Sequence, residues 1–258
     1  MIRARKRFGQ HFLHDQGILR RIVDAVNPQP GQHVVEIGPG SGALTAHLLD
    51  RVESMDVVEI DRDLAAALQT RWSSQLRIHP GDALKFDLTA LSNQAGGPLR
   101  LVGNLPYNIS TPLLFHFLKH RQCISDMHVM LQKEVIDRMS AAPGADDYGR
   151  LTVMLAPWLL VEKLFDVGPG AFTPAPRVWS AVARLTVLSQ PKFIAGPQYA
   201  SIVAQAFMQR RKTLRNSLKG RIPEGGWQTA GVDPGARPET LGPEQFAALA
   251  ELAAPGQL

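Results

Sequence analysis

An α/β fold is what the sequence predicts: a doubly wound, mostly parallel sheet followed by a small C-terminal helical domain. Three observations carry this. Short apolar runs of strand character alternate with stretches of helical periodicity from residue 16 onward. A glycine-rich turn, Gly38-Pro-Gly-Ser-Gly42, follows directly on the first buried run. Near Gln190 the strand pattern stops, in a chain of 258 residues that exceeds one ordinary domain and falls short of two. The division is therefore placed at 1–189 and 190–258.

The elements follow in order. A helix covers Gln16 to Val26 and is ended by Asn27-Pro28. The strand His33 to Ile37 runs into the glycine turn, and a helix spans Ala43 to Leu49. Met55 to Ile60 reads as a second strand, before a helix from Arg62 to Trp72. Leu76 to His79 is a short third strand that ends at Gly81-Asp82. Leu99 to Gly103 is the fourth and leads into Asn104-Leu-Pro-Tyr107. The next helix takes Ser110 or Thr111 as its N-cap, with Pro112 in its first turn. Met127 to Leu131 is the fifth strand, followed by a helix through Met139. Two later β-like stretches, Leu160 to Val167 and Val178 to Val187, leave little room for a helical crossover and are assigned to an antiparallel edge. Pro191 to Pro197 is a linker, and the remainder is helical or rich in Gly and Pro.

Composition narrows the class. Hydrophobic residues make up 45% and charged residues 20%, the balance of a folded globular chain. A single cysteine, Cys123, makes no internal disulfide, and the basic start lacks the apolar stretch of a secretory signal. The longest apolar run, Leu151 to Val161, is broken by Thr152 and Pro157 and is too short to span a bilayer. These features point to a cytoplasmic protein without a membrane partner.

The net charge of +5 is unevenly spread. Residues 1–21 hold six bases, Arg5, Lys6 and Arg7 among them, and one acid. Residues 205–221 hold six more, including Arg210, Arg211, Lys212, Arg215 and Lys219, and no acid. Together these 38 residues carry +11, while the other 220 carry −6. An acidic body with two concentrated basic segments is the footprint of a polyanion binder; the bland alternative is two solvated surface stretches. On a continuous helix, Arg211, Lys212, Arg215 and Lys219 fall within an arc of about 100°. The stripe Ile202, Val203, Ala206 and Phe207 would anchor that helix.

In a doubly wound sheet, ligands sit at the carboxyl ends of the strands. Gly38, Glu59, Asp82 and Asn104 each end or follow a strand. Gly38-x-Gly40 lets the backbone pass close to a ligand, and Glu59, 19 residues beyond Gly40, is placed to accept both hydroxyls of a ribose. This geometry serves NAD and S-adenosylmethionine alike. Asp82 is either an acceptor for an adenine amino group or a turn-forming residue after Gly81.

Asn104-Leu-Pro-Tyr107 is more specific. An exocyclic amine that accepts a methyl group needs its hydrogens held. The Asn104 side-chain oxygen and the Leu105 carbonyl offer two acceptors, Pro106 fixes the turn and Tyr107 offers a stacking face. With a sulfonium as donor, neither general base nor metal is obligatory, and rate comes from alignment. His116 and His120 have metal-ligand spacing but no third ligand, so no metal is expected. Trp158 and Phe165 read as core, and Cys123 as an inert small side chain.

The chain resembles the KsgA/RsmA family of ribosomal RNA adenine dimethyltransferases. The matching stretches are Arg5-Lys-Arg-Phe-Gly-Gln-His-Phe-Leu13, Val35-Glu-Ile-Gly-Pro-Gly40, Gly103-Asn-Leu-Pro-Tyr-Asn-Ile-Ser-Thr-Pro112 and Met130-Leu-Gln-Lys-Glu-Val135. They continue with Phe172-Thr-Pro-Ala-Pro176, Gln209-Arg-Arg-Lys-Thr-Leu-Arg-Asn-Ser-Leu218 and Arg237-Pro-Glu-Thr-Leu241. The resemblance implies a Rossmann-like class I methyltransferase domain and dimethylation of N6 on two adjacent adenosines near the 3′ end of 16S rRNA, with S-adenosylmethionine as cofactor. It also implies a monomer whose partner is the small ribosomal subunit rather than DNA. By it, His11, Leu13, Gly38, Gly40, Glu59, Asp82 and Asn104 line the cofactor site. Asn104, Leu105 and Tyr107 hold the target base, and Phe172 closes over its other face. The chain departs from the family at His11, where Asn is usual, at Trp179, where Asp is common, and at Met208, where Asn is common. These bear on packing and RNA contacts more than on activity.

Three other functions compete. A nicotinamide-dependent oxidoreductase leaves Asn-Leu-Pro-Tyr and both basic segments without a use. A non-catalytic RNA-binding assembly factor is opposed by the intact pocket residues. A large-subunit rRNA methyltransferase of the antibiotic-resistance type shares the N-terminal and Asn-Leu-Pro-Tyr motifs but not the late basic block.

Overall fold

A computed structural model describes residues 10–209 and 211–254. Arg5, Lys6, Arg7 and Arg210 lie outside the described residues. The strands are β1 (Phe12–Leu13), β2 (His33–Ile37), β3 (Met55–Glu59), β4 (Leu76–Pro80), β5 (Leu99–Asn104), β6 (Ile124–Gln132), β7 (Leu159–Val167), β8 (Phe172–Thr173) and β9 (Ser180–Val187). Seven of them form one sheet in the order β4-β3-β2-β5-β6-β9-β7. The ladders from β4 to β6 are parallel, and β9 is antiparallel to β6. The order reverses beside β2, the crevice where doubly wound sheets take their ligands. Because helices cover such a sheet, its central strands are apolar on both faces: every residue of β3 is buried, and all of β2 but His33.

The helices of this unit are α1 (Gln16–Val26), α2 (Ala43–Leu49), α3 (Arg62–Arg71), α4 (Leu88–Ala95), α5 (Ser110–Lys119) and the start of α6 (Lys133–Ser140). Asp15 caps α1 by accepting from the Ile18 amide, and Asn27, in the left-handed region, ends it. The last turn of α1 has no base of its own. Arg100 from β5 and Arg184 from β9 supply donors instead, to the Val26 carbonyl (2.7 Å) and the Ala25 carbonyl (3.1 Å). Helix α5 differs from expectation. Ser110 lies inside its first turn, with its hydroxyl donating to the Tyr107 carbonyl, because a 3-10 turn over Tyr107–Ile109 already leads the chain in. Helix α4, capped by Asp87, and the β1–β8 ladder were not expected at all.

The second unit comprises residues 137–159 and 188–258. Its first boundary thus falls well inside the 1–189 segment read as one domain. The reason is packing. Tyr148 and Val153, the latter on α7 (Arg150–Leu155), share a core with Ile202 and Val203 of α8 (Tyr199–Phe207) and with Phe246 and Leu249 of α11 (Pro243–Leu252). The buried hydroxyls of Tyr148 and Tyr199 donate to the carbonyls of Leu241 and Val153.

The late basic segment also departs from expectation. Helix α8 stops at Phe207, and α9 is a single turn, Leu214–Ser217; a second single turn, α10 (Gly226–Thr229), follows. The Leu214 and Arg215 amides donate to the carbonyls of Ala236 and Pro234, drawing the chain away from a continuous helix. Leu214 and Leu218 are buried, while Arg211, Lys212, Arg215 and Lys219 are all exposed. The bases therefore sit on the single turn α9, which holds Arg215, and on the turns flanking it, rather than on one helical arc. Arg221 is structural: its guanidinium donates to Gln205, Gln198, Ser201 and the Ala254 carbonyl. No helix of the described residues is long and apolar enough to cross a membrane.

Candidate active site

The carboxyl ends of β2, β3, β4 and β5, roofed by β1, surround a cavity of about 280 Å³. Gly38, Gly40 and Gly42 all have positive φ, which the tight strand-to-helix turn requires. A Cβ on Gly38 would meet no protein atom within 4 Å, so this backbone borders open space. A Cβ on Gly40 would come to 3.0 Å from the Phe12 ring, which lies across the turn.

Glu59 is buried at the end of β3. Its Oε2 accepts from the Gly40 amide (3.0 Å) and its Oε1 from the Asp61 amide (2.8 Å). Burial pushes its carboxyl up, with the Asp61 charge adding, against the pull of the Asp61, Gly40 and Ile60 amides. A carboxylate has about four acceptor positions, so acceptor capacity remains for a ligand hydroxyl where the residue lines the cavity. Asp82 takes the turn role the sequence offered, its Oδ1 accepting from the Leu84 amide, and the residue also lines the cavity.

Asn104 ends β5. Its Nδ2 donates to the His11 carbonyl at 2.9 Å, which fixes the amide and leaves Oδ1 as acceptor. The Leu105 amide donates to the Met130 carbonyl, so the backbone here is tied to β6. Gly103 explains how the turn closes against β2. A Cβ there would sit 2.5 Å from the Ile37 carbonyl oxygen. The Tyr107 hydroxyl pairs with Ser180 Oγ at 2.5 Å, and burial pushes its pKa up. His11 stacks on the Tyr107 ring at 5.5 Å between centroids, and its Nδ1 donates to the Pro174 carbonyl. His11 thus shapes the site through both ring and backbone.

Of the expected site residues, His11, Leu13, Gly38, Gly40, Glu59, Asp82, Asn104, Leu105 and Tyr107 all line one cavity. Phe172 does not. It is 3% exposed, paired with Leu13 across the β1–β8 ladder and packed in the core of this unit. The rings of His116 and His120 lie 4.7 Å apart, with His116 donating to the Phe86 carbonyl and His120 paired with Thr89. Burial pushes the Cys123 thiol up, as suits an unreactive side chain. Phe165 is half-buried, with the Arg21 guanidinium 3.9 Å over its ring, and Trp158 is half-buried in the second unit.

Sequence reasoning missed Phe12, Glu36, Gly103 and Ile60 as parts of the site. Gly103 was signalled by its place directly before Asn104. Glu36 is fully buried on β2 and accepts from Thr45 Oγ at 2.6 Å. Burial raises its pKa from 4.5 to about 7, with the Thr45 hydrogen bond opposing and the Glu59 charge adding. A carboxyl whose folded pKa exceeds its unfolded one takes up a proton on folding. It therefore contributes most below pH 4.5, and that contribution is lost as pH rises to about 7. Glu36→Gln should remove up to about 3 kcal/mol of this pH-dependent loss. Denaturant unfolding of both proteins from pH 5 to 8 measures it, and parallel pH curves would refute it.

A model of the ribosomal RNA adenine dimethylase family matches residues 1–254. The ribosomal RNA small subunit methyltransferase A of Hahella chejuensis is 52% identical over 252 residues, covering 96% of this chain and 92% of that one. Its namesake from Pseudomonas aeruginosa is 51% identical, covering 96% and 94%. Among solved structures, a dimethyladenosine transferase from Plasmodium falciparum superposes with a TM-score of 0.77 at 24% identity, covering 94% of this chain and 99% of that one. The 23S rRNA methyltransferase ErmE superposes with a TM-score of 0.72 at 30% identity, covering 93% and 98%.

Proposed function

The chain belongs to the ribosomal RNA adenine dimethylase family, and from that premise we propose how its residues divide the work. The protein is an S-adenosylmethionine-dependent methyltransferase that dimethylates adenine in 16S rRNA. The large-subunit alternative is not favoured, since the small-subunit relatives are 51–52% identical and the 23S enzyme 30%. We assign it two adjacent adenosines near the 3′ end of that RNA, a cytoplasmic location and a monomeric state, with neither DNA nor membrane as partner.

The pocket fits the cofactor. Backbone at Gly38 borders open space, Gly40 turns beneath the Phe12 ring, Glu59 offers two oxygens for the ribose hydroxyls and Asp82 an oxygen for the adenine amino group. Half-exposed Ile60 gives the adenine an apolar wall, and His11 and Leu13 close the roof. When bound, S-adenosylmethionine supplies a methyl group on a sulfonium, a leaving group that needs no metal.

What the chain adds is alignment. One observation carries this reading: Asn104 is locked through Nδ2 to the His11 carbonyl, so Oδ1 is presented as an acceptor. Oδ1 and the Leu105 carbonyl take the two N6–H groups of the target, turning the nitrogen lone pair towards the methyl carbon. Pro106, with φ −59° and no N–H, keeps that turn free of a competing donor. Tyr107 offers its ring face opposite His11 to the base. Its hydroxyl, held by Ser180 and raised in pKa, stays protonated and acts as an anchor rather than a base. Phe172 supports this roof from the core instead of touching the base.

The deciding experiment is tritiated methyl transfer to small subunits from cells lacking the modification, with large subunits as control. Label in the small-subunit RNA alone is expected, and label in the large subunit would overturn the assignment. For RNA contact we assign the exposed Arg211, Lys212, Arg215 and Lys219 on the second unit, together with Arg5, Lys6, Arg7 and Arg210. Each phosphate contact removed lowers the log–log salt slope by about 0.7–0.9. Changing Arg211 and Arg215 to Ala should therefore flatten the salt dependence of subunit binding by about 1.4–1.8. Cofactor affinity should not change. Filter binding across a salt series measures this, and an unaltered slope would assign these bases to solvation.

A further inference from the structure

We propose that Trp179 is a stacking platform for a nucleobase next to the target adenosine in the RNA strand, an inference that rests on the rRNA-methylating reading of the pocket. Large apolar side chains open to solvent are worth explaining when they border a site. Trp179 is 56% exposed, and its neighbour Val178 is 43% exposed. Trp179 immediately precedes Ser180, the first residue of β9, whose hydroxyl holds Tyr107. Its position on the sheet follows from register. Asn104 pairs with Met130, Met130 with Val182, and Gln132 with Ser180. Trp179 therefore stands on the carboxyl rim of the sheet, the edge on which the pocket opens, two strands from Asn104 and three residues further out. Strand spacings put its Cα on the order of 14 Å from that of Asn104. That is too far to touch the target base and near enough to meet a neighbouring one.

The indole is held ready. The Trp179 carbonyl accepts from the Lys133 amide at 2.9 Å, which pins its backbone. One edge of its six-membered ring lies over Gly168, where a Cβ would be 3.6 Å from the ring. Arg177, also exposed, supplies a cation two residues away for the phosphate between the two nucleotides. A protein that turns a base out of its strand must hold what is left unstacked, and aromatic faces do this without regard to sequence. The occupant is thus an unstacked nucleobase, with the RNA backbone running past Arg177.

Four full-length proteins test this: the parent, Trp179→Ala, Trp179→Leu and Trp179→Phe. Each is assayed for methyl transfer to unmodified small subunits over a range of subunit concentrations, with calorimetric titration of S-adenosylmethionine alongside. Loss of one stacked base by alanine substitution is expected to raise KM for small subunits by roughly 5- to 150-fold. Turnover at saturation and cofactor affinity should remain parental. The Phe variant, which keeps a flat ring, should recover most of the loss, and the Leu variant, which keeps only apolar bulk, should not. Recovery by Leu, or an unchanged KM in the Ala variant, overturns the proposal and leaves Trp179 a packing residue. A parent that labels large rather than small subunits overturns the underlying reading, and this inference with it.

Discussion

Replacing Asn104 by Ala should lower methyl transfer at saturating small subunits by about 100-fold. The magnitude follows from what alignment supplies: a misplacement near 1 Å at the reacting centre costs about two orders of magnitude. Ala removes the Oδ1 acceptor and also the Nδ2 donor that ties β5 to the His11 carbonyl. Asn104→Asp separates the two losses. It retains an acceptor oxygen but has no donor for that carbonyl, so its turnover should also fall steeply. His11→Ala keeps the backbone carbonyl and so the Asn104 link, and its turnover should fall much less. Single-turnover methyl transfer measures all three. Near-parental turnover in the Ala variant would make Asn104 a turn residue and the alignment mechanism wrong.

The same residues show what a linear sequence discloses. Gly38, Glu59, Asp82 and Asn104 were legible because each stands at a strand end, where strand-to-helix alternation alone puts a ligand. The β1–β8 ladder was not legible. It pairs Phe12 with Thr173, two residues per strand, and so carries no periodic signal. It is nonetheless what brings Phe12 over the glycine turn and buries Phe172, so the expected role of Phe172 was out of reach without it. The late basic segment misled for a related reason. An arc of 100° presumes an unbroken helix, whereas Leu214 and Arg215 take their backbone partners from Ala236 and Pro234, some twenty residues on. Residues 137–159 joined the second unit through Tyr148 and Val153, whose apolar character says that they are buried but not against what. Glu36 lies in the strand His33 to Ile37, and only its burial beside Thr45 shows that its carboxyl is pushed up to about 7.

Glu59→Ala should weaken S-adenosylmethionine binding by roughly 100-fold or more, since hydrogen bonds to a charged group contribute about 1.5–3 kcal/mol each and two ribose hydroxyls lose their acceptor. The structure adds a second cost. Glu59 also accepts from the Gly40 and Asp61 amides, so Ala leaves both N–H groups without that partner and loosens the glycine turn itself. Glu59→Gln keeps one oxygen but sets an NH2 group against one of those amides, and its loss should be intermediate, about 10-fold. The two variants also differ from the parent in pH dependence. Burial holds the Glu59 carboxyl above the ordinary value of 4.5, so protonation begins to remove the acceptor at a higher pH than for an exposed carboxylate. Parental affinity should accordingly weaken as pH falls through that raised pKa, whereas the Gln variant, with nothing to protonate at this position, should lose that limb of the curve. Calorimetric titration of folded proteins from pH 4.5 to 8 reads both effects. A folded Ala variant with parental affinity would place the ribose elsewhere, and a Gln variant that keeps the acid limb would take that limb away from Glu59.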